Sequence, residues 1–328
     1  MRDLQHRRCI LLSSGVYCDY FSQTGMNMKK VLLCVFTLLL LTGCSGKALS
    51  EATTSPDISM EETTAAAAVQ TEEESSALYV SLGDSIARGY GLSNIPEERF
   101  STIAGQNWDI PADAVYNYGV DGQTSGELIT MLQQNMPSSL AQADVISISI
   151  GANNVLKYAF QFLYDYYLYL YAEPAQYTDQ DIAALFRDFI ENADRGCETL
   201  AEDLPVLLET IRAVNPDCQI LFLTLYNPYA AVNTELHING MPILLSALSD
   251  SYAVKINNCI RESTKNAENL TLVDVYSAFT GRTSELLYAV TPPELDPSEM
   301  DMQYMDPHPN ARGHRLIGQL VSESYTIE

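Results

Sequence analysis

Five short runs rich in β-branched and aromatic residues set the frame of this chain: LYVSL (78–82), AVYNY (114–118), DVISISI (144–150), QILFLTL (219–225) and LTLVDV (270–275). They carry few charges and read as strands buried on both faces. Between them lie stretches with helical spacing, among them SGELITMLQQN, CETLAEDLPVLLETIRAVN and LLSALSDSYAVKINNCIRES. Buried strands that alternate with helices imply a parallel sheet, because crossover helices cover both of its sides. The expected fold is a three-layer α/β/α doubly wound parallel sheet of about five strands, forming one domain over residues 77–328.

One segment breaks the alternation. Val155 to Asn192, VLKYAFQFLYDYYLYLYAEPAQYTDQDIAALFRDFIEN, is rich in tyrosine and follows the third run directly. It is expected to be a helical insertion over 155–195, helical at both ends. On the C-terminal side of a strand such an insertion can roof a pocket, and its tyrosines can equally pack one more helix onto the core.

The N-terminus has another character. Lys29 and Lys30 precede an apolar run from Val31 to Leu41, and the run ends in Leu41-Thr42-Gly43-Cys44. A charged start, a short apolar stretch and small residues make a secretory signal, too short to favour a spanning helix. Leu-Thr-Gly-Cys resembles the lipobox of bacterial lipoproteins, which implies cleavage before Cys44, a diacylglyceryl group on its sulfur and an extracytoplasmic, membrane-anchored protein. An ordinary signal with a chance cysteine is the plainer alternative. Residues 1–25 fit no part of a signal, so translation is expected to start at Met26 or Met28, with the signal over 26–43. Residues 45–76 are Ser, Thr, Ala and Glu with almost no large apolar side chains, a composition expected of a disordered tether behind the lipidated cysteine.

The mature chain would keep Cys197, Cys218 and Cys259 beside Cys44. With Cys44 lipidated the other three cannot all pair, and their spacing matches no zinc site, so free thiols and no metal or cofactor are expected. A formal charge of −24 and a pI near 4.3 argue against a nucleic-acid partner, since phosphate binding needs clustered Lys and Arg.

The chemistry-bearing residues fall in four blocks. GDSIARGYG places Ser85 at the end of the first strand; NYGVDGQTS contains Gly122; IGANN contains Asn153; and DPHPN contains His308. Three blocks follow strands and the fourth precedes the last helix, so one crevice at the strand ends can collect them. In kind and order the blocks resemble the SGNH or GDSL family of serine esterases and lipases, over nearly all of residues 78–323. The resemblance implies a flavodoxin-like SGNH hydrolase fold, Ser85 as nucleophile, His308 as base, and an oxyanion hole from the Ser85 and Gly122 backbone N–H groups and the Asn153 amide. A histidine suits the base role because its ordinary pKa of about 6.5 lets it take and return a proton near neutrality. Gly122 suits its role because no Cβ hinders close approach to substrate.

The other two candidate histidines are weaker. His314 lies inside a helix that Asn310 is expected to cap, and is expected to pack or to face solvent; His237, in TELHINGMP, is expected to be a loop residue. The acid departs from the family pattern. Many members carry it three residues before the histidine, where Met305 stands, whereas Asp306 stands two before. Asp306 can serve through a shortened loop, a backbone carbonyl can orient His308 in a dyad, or another acid such as Asp301 can swing in. In the third block Asn154 stands where the family often has aspartate, and TLYNPY (224–229) is expected to shape a pocket wall.

The expected function is hydrolysis of a carboxylic ester on an acylated saccharide or a lipid. The alternative is a binding lipoprotein for cell-surface glycan or lipid that keeps the fold but not efficient catalysis. A metal-dependent hydrolase has no ligand cluster in the sequence to support it.

Overall fold

The computed structural model describes residues 77–171, 177–292 and 302–326. The expected upstream stretch (1–25), signal (26–43), Cys44 and tether (44–76) lie outside the described residues.

The domain opens with β1 (Tyr79–Gly83), then α1 (Ser85–Arg88), α2 (Ile95–Glu98) and α3 (Phe100–Asn107). Next come β2 (Val115–Gly119) with α4 (Ser125–Gln134), and β3 (Val145–Ser149) with α5 (Asn153–Tyr171) and α6 (Asp179–Arg212). Then β4 (Gln219–Leu223) leads to β5 (Glu235–Ile238), β6 (Met241–Leu244) and α7 (Leu245–Thr264). The chain closes with β7 (Leu270–Val273), α8 (Val275–Phe279), α9 (Thr283–Leu286) and α10 (Ala311–Glu323).

The five main strands form a parallel sheet in the order β2-β1-β3-β4-β7, each starting within a residue of the apolar run that announced it. Alternate side chains feed two separate cores. Val80, Leu82, Ile146, Ile148, Ile220 and Phe222 pack with residues of α4, α5, α6 and α7. Tyr79, Val145, Leu221, Leu223 and Val273 pack with residues of α1, α3, α8 and α10. Burial on both faces is what an uncharged strand permits, and each large side chain so buried stabilises by roughly 1.5–3 kcal/mol. Among the buried central serines, Ser147 offsets its burial by hydrogen bonding: Tyr79 and Ser147, on adjacent strands, join hydroxyls at 2.6 Å.

Strand order reverses around β1, since the chain leaves it for β2 on one side and returns to β3 on the other. Such a switch point opens a crevice beyond the C-terminal strand ends. Gly83 makes that end unusually tight. Its φ is +136°, and a Cβ there would lie 2.0 Å from the Ser149 carbonyl oxygen.

The tyrosine-rich segment differs from expectation in its extent. Its second half is no separate insertion but the first turns of α6, a single 34-residue helix that contains the CETLAEDLPVLLETIRAVN pattern through Arg212. Phe162, Leu163 and Tyr166 of α5 join the core, and the Tyr166 hydroxyl accepts the His237 N–H at 2.6 Å. Packing therefore accounts for the inward-facing part of the segment. His237 lies in β5 rather than in a loop: β5 and β6 form an antiparallel hairpin whose turn is Asn239-Gly240, both with positive φ. Two left-handed residues match the twist of the flanking strands, which is why Asn-Gly favours this turn. Cys197, Cys218 and Cys259 are free thiols.

Candidate active site

Ser85 is the first residue of α1. Asp84 caps that helix, its Oδ1 accepting the Ile86 N–H at 3.0 Å, and the Asp84 N–H donates to the Ser149 carbonyl at 3.0 Å. The tight end of β1 thus passes directly into a capped turn that holds the Ser85 hydroxyl at the crevice floor, with the residue 8% exposed. Gly89, left-handed at φ 90°, ends the helix after one turn.

His308 arrives from the opposite end of the chain. Its Nε2 lies 2.9 Å from the Ser85 Oγ, and its Nδ1 lies 2.6 Å from the Asp306 Oδ1. The same Oδ1 accepts the His308 backbone N–H at 3.1 Å. A carboxylate that bonds the amide two residues on makes an Asx turn, and this explains the shortened spacing. Pro307 has no N–H to compete for the oxygen, so one Asp306 oxygen serves both the amide and the ring of His308. Asp306 is the acid that the structure places at the imidazole; Asp301 lies outside the described residues. With Nδ1 donating to the carboxylate, Nε2 presents a lone pair to the Ser85 O–H.

The loop is pinned on both flanks. Tyr288 N–H donates to the His308 carbonyl at 3.1 Å, and Pro309 bridges to Leu287. Asn310 then caps α10, its Oδ1 accepting the N–H groups of Arg312 and Gly313 at 2.9 and 3.2 Å. The Tyr90 ring lies against the imidazole, centroids 4.5 Å apart and tilted by 40°.

Gly122 sits in the turn after β2 with φ 73°, a conformation that side chains disfavour. The Val120 N–H bonds the Gly83 carbonyl at 2.9 Å, which ties this turn to the end of β1. Asn153 begins α5 and spends one amide hydrogen on the Gln123 carbonyl at 3.1 Å, leaving its second for other use. Its neighbour Asn154 is buried. The Asn154 Oδ1 accepts the Ser125 N–H at 3.1 Å, and its Nδ2 donates to the Ser125 Oγ at 2.8 Å while that hydroxyl donates to Asp203. An aspartate could not make the second of these bonds, so the departure from the family pattern has a local cause. This network joins the starts of α4 and α5 to α6, and thereby ties the Gly122 turn to the Asn153 loop.

His314 is fully buried on α10, stacked on Phe100 at 6.2 Å, with neither ring nitrogen bonded among the described residues. Burial, with His308 nearby, pushes its pKa down to about 3. It is a packing residue and not a base. Asp84 is also buried, its Oδ2 without a partner among the described residues, and burial pushes its pKa up to about 7.

Sequence reasoning missed two groups behind the site. The Tyr226 hydroxyl donates to the Pro307 carbonyl at 2.9 Å, and the Tyr229 hydroxyl to the Met305 carbonyl at 3.3 Å. TLYNPY, expected to shape a pocket wall, sends two hydroxyls to the backbone on either side of Asp306. The sequence shows two tyrosines in a loop at a strand's C-terminal end, but not the backbone carbonyls they bond.

A hydrogen-bonded Ser-His-Asp chain at the switch point of a doubly wound sheet has the geometry of a serine-hydrolase type of site. The comparisons narrow this. The chain belongs to the GDSL-like Lipase/Acylhydrolase family, whose profile matches residues 81–316, and is an ester-hydrolysing enzyme. It is 23% identical over 216 residues to YpmR of Bacillus subtilis (strain 168), covering 65% of this chain and 67% of that one. The fold is similar to phospholipase A1 from Streptomyces albidoflavus NA297, at a TM-score of 0.52 and 16% identity over 76% of this chain and 100% of the other. It is also similar to an extracellular lipase from Streptomyces rimosus, at a TM-score of 0.52 and 17% identity with the same coverage.

Proposed function

We propose that the chain is a serine esterase working through an acyl-enzyme, anchored outside the cytoplasmic membrane through Cys44, with an acylated saccharide or a lipid ester as substrate. The observation that carries the mechanism is the continuous chain from Ser85 Oγ through His308 to Asp306, at 2.9 and 2.6 Å.

In this reading the Ser85 Oγ attacks the ester carbonyl while its proton passes to His308 Nε2, and the Asp306 carboxylate stabilises the imidazolium. The negative oxygen of the tetrahedral intermediate takes hydrogen bonds from the Ser85 and Gly122 N–H groups and the second Asn153 amide hydrogen. Each such donor is worth about 10²–10³ in rate. Collapse breaks the ester C–O bond, His308 gives its proton to the leaving alcohol, and water repeats the sequence on the acyl-enzyme to release the acid.

The leaving alcohol departs beside His308, where the Tyr90 ring lies against the imidazole and the exposed Tyr288, whose backbone N–H bonds the His308 carbonyl, sends its hydroxyl to the Gly91 carbonyl. Aromatic rings there suit an alcohol with an apolar face, either a sugar ring or a glycerol-linked lipid. The anchor rests on the Leu41–Cys44 sequence alone. Asp306 reaches the imidazole despite its shifted position, which removes the ground for a binding protein without catalysis.

A fluorophosphonate probe should label Ser85 in the folded protein, and Ser85→Ala should abolish both labelling and hydrolysis. No label on Ser85 would overturn the mechanism. Rates on p-nitrophenyl acetate, butyrate and palmitate beside an acetylated sugar separate the substrate classes, because acyl preference reports pocket depth.

A further inference from the structure

We infer that Tyr226 and Tyr229 are positioning residues for the acid: their hydroxyls clamp the two backbone carbonyls that flank Asp306, and so set where its carboxylate meets His308. The inference rests on the proposed roles of Asp306 and His308 and deepens them.

The clamp is built from a distant part of the chain. Tyr226 bonds Pro307 across 81 residues, and Tyr229 bonds Met305 across 76. Both tyrosines are buried, and burial raises both phenol pKa values above the ordinary 10, so each hydroxyl stays a donor at any working pH. Asp306 lies between the two gripped carbonyls. Its backbone therefore has little freedom to rotate, and the Asx turn holds the remaining direction.

The loop that carries the phenols is itself braced. Asn257 on α7 donates to the Leu225 carbonyl at 2.8 Å and accepts the Leu225 N–H at 2.7 Å. Asn227 donates to the Ser246 carbonyl at 2.9 Å and accepts the Tyr229 N–H at 3.0 Å. The Tyr226 ring stacks on Phe279 at 4.8 Å. Rigidity thus passes from α7 and α8 through the strand-end loop to the acid. Two phenols spent on backbone carbonyls a few ångströms behind a catalytic pair are more than packing requires, since phenylalanine would fill the same volume.

The experiment compares Tyr226→Phe, Tyr229→Phe and the double variant with the parent, alone and on an Asp306→Ala background. The rings stay, so packing and folding are retained and a thermal melt checks this. The double variant is expected to lose about 10- to 100-fold in kcat, the range for a misplacement of about 1 Å, with KM within about twofold. On the Asp306→Ala background the same substitutions are expected to cost less than about twofold, because the residue they act through is gone. Losses that multiply on that background, or a double variant within about twofold of the parent, would overturn the clamp. A second readout needs no substrate. In resting protein with isotope-labelled histidine, the downfield Nδ1 proton of His308 should be present in the parent, absent in Asp306→Ala, and broadened or lost in the double Phe variant. An unchanged proton in the double variant would also overturn it. Failure of the parent to hydrolyse any ester would instead strike the esterase reading, while the proton signal still decides the clamp.

Discussion

Replacing His314 by phenylalanine should remove most of a specific acid sensitivity from the fold. His314 is fully buried against Phe100 with neither nitrogen bonded among the described residues, and its pKa falls from an ordinary 6.5 to about 3. A folded pKa below the unfolded one means that the unfolded state binds the proton more readily. The stability this provides is complete above about pH 6.5 and is lost as pH falls toward 3. At pH 7 almost nothing is lost. At pH 4 the unfolded state has gained about 2.5 pH units of protonation that the folded state has not, which is ~3 kcal/mol at 1.36 kcal/mol per unit. Phenylalanine keeps a flat ring on Phe100 and cannot titrate. Urea unfolding at pH 7 and pH 4 would give four free energies, and the parent should lose ~3 kcal/mol more between the two pH values than His314→Phe does. Any change in packing shifts the variant equally at both pH values, and other groups such as Asp84 cancel in the comparison. A differential below about 1 kcal/mol would refute the reasoning.

Other consequences follow from the site. Asn154→Asp should destabilise by about 1–3 kcal/mol, because one Ser125 hydroxyl cannot donate to two carboxylates; adding Asp203→Asn should restore most of the loss in urea unfolding. Gly83→Ala should cost ~3 kcal/mol or more and abolish hydrolysis, since its Cβ would meet the Ser149 carbonyl in a left-handed conformation; a melting temperature within about 1 °C of the parent would contradict this. Asp306→Glu keeps the charge but cannot make the Asx turn, so its rate should fall near that of Asp306→Ala, a loss of about 10⁴ for a triad acid. Near-parental hydrolysis by the glutamate variant would show that charge alone suffices.

Much of this was legible in the chain because it is local. The five strands followed from uncharged runs, and the α10 cap followed from Asn310 standing before a helical pattern. The four blocks placed Ser85, Gly122 and Asn153 on strand-end loops and His308 in the loop before the last helix. The β5–β6 hairpin has its own local signal in Asn239-Gly240, a pair that favours a two-residue turn. The extent of α6 was not legible, since nothing between the tyrosine-rich stretch and CETLAEDL marks where an inserted helix would end and a crossover helix begin. The phenol clamp was hidden for a different reason. Its bonds end on backbone carbonyls 76 and 81 residues away, and a carbonyl has no letter in the sequence.

The shortened acid spacing belongs to a device that recurs around the site. Asp84 accepts the N–H of Ile86, Asn117 that of Gly119, Asn227 that of Tyr229, Asp306 that of His308 and Asn310 that of Arg312, all between 2.9 and 3.1 Å. Each is a bond from a short polar side chain to the amide two residues on, at the end of a strand, in a loop or at the start of a helix. At strand-end loops, which line the crevice, a bond closed within three residues adds rigidity to what burial supplies; it costs little entropy and needs no distant partner. Four of the five hold or flank a group in the proposed mechanism: Asp84 precedes the nucleophile, Asn227 braces a phenol of the clamp, Asp306 meets the base and Asn310 starts the helix behind it. At Asp306 alone the oxygen that makes the turn also contacts the imidazole. The two-residue spacing is therefore the natural span of an Asx turn, and an acid three residues away would have to be held by other means.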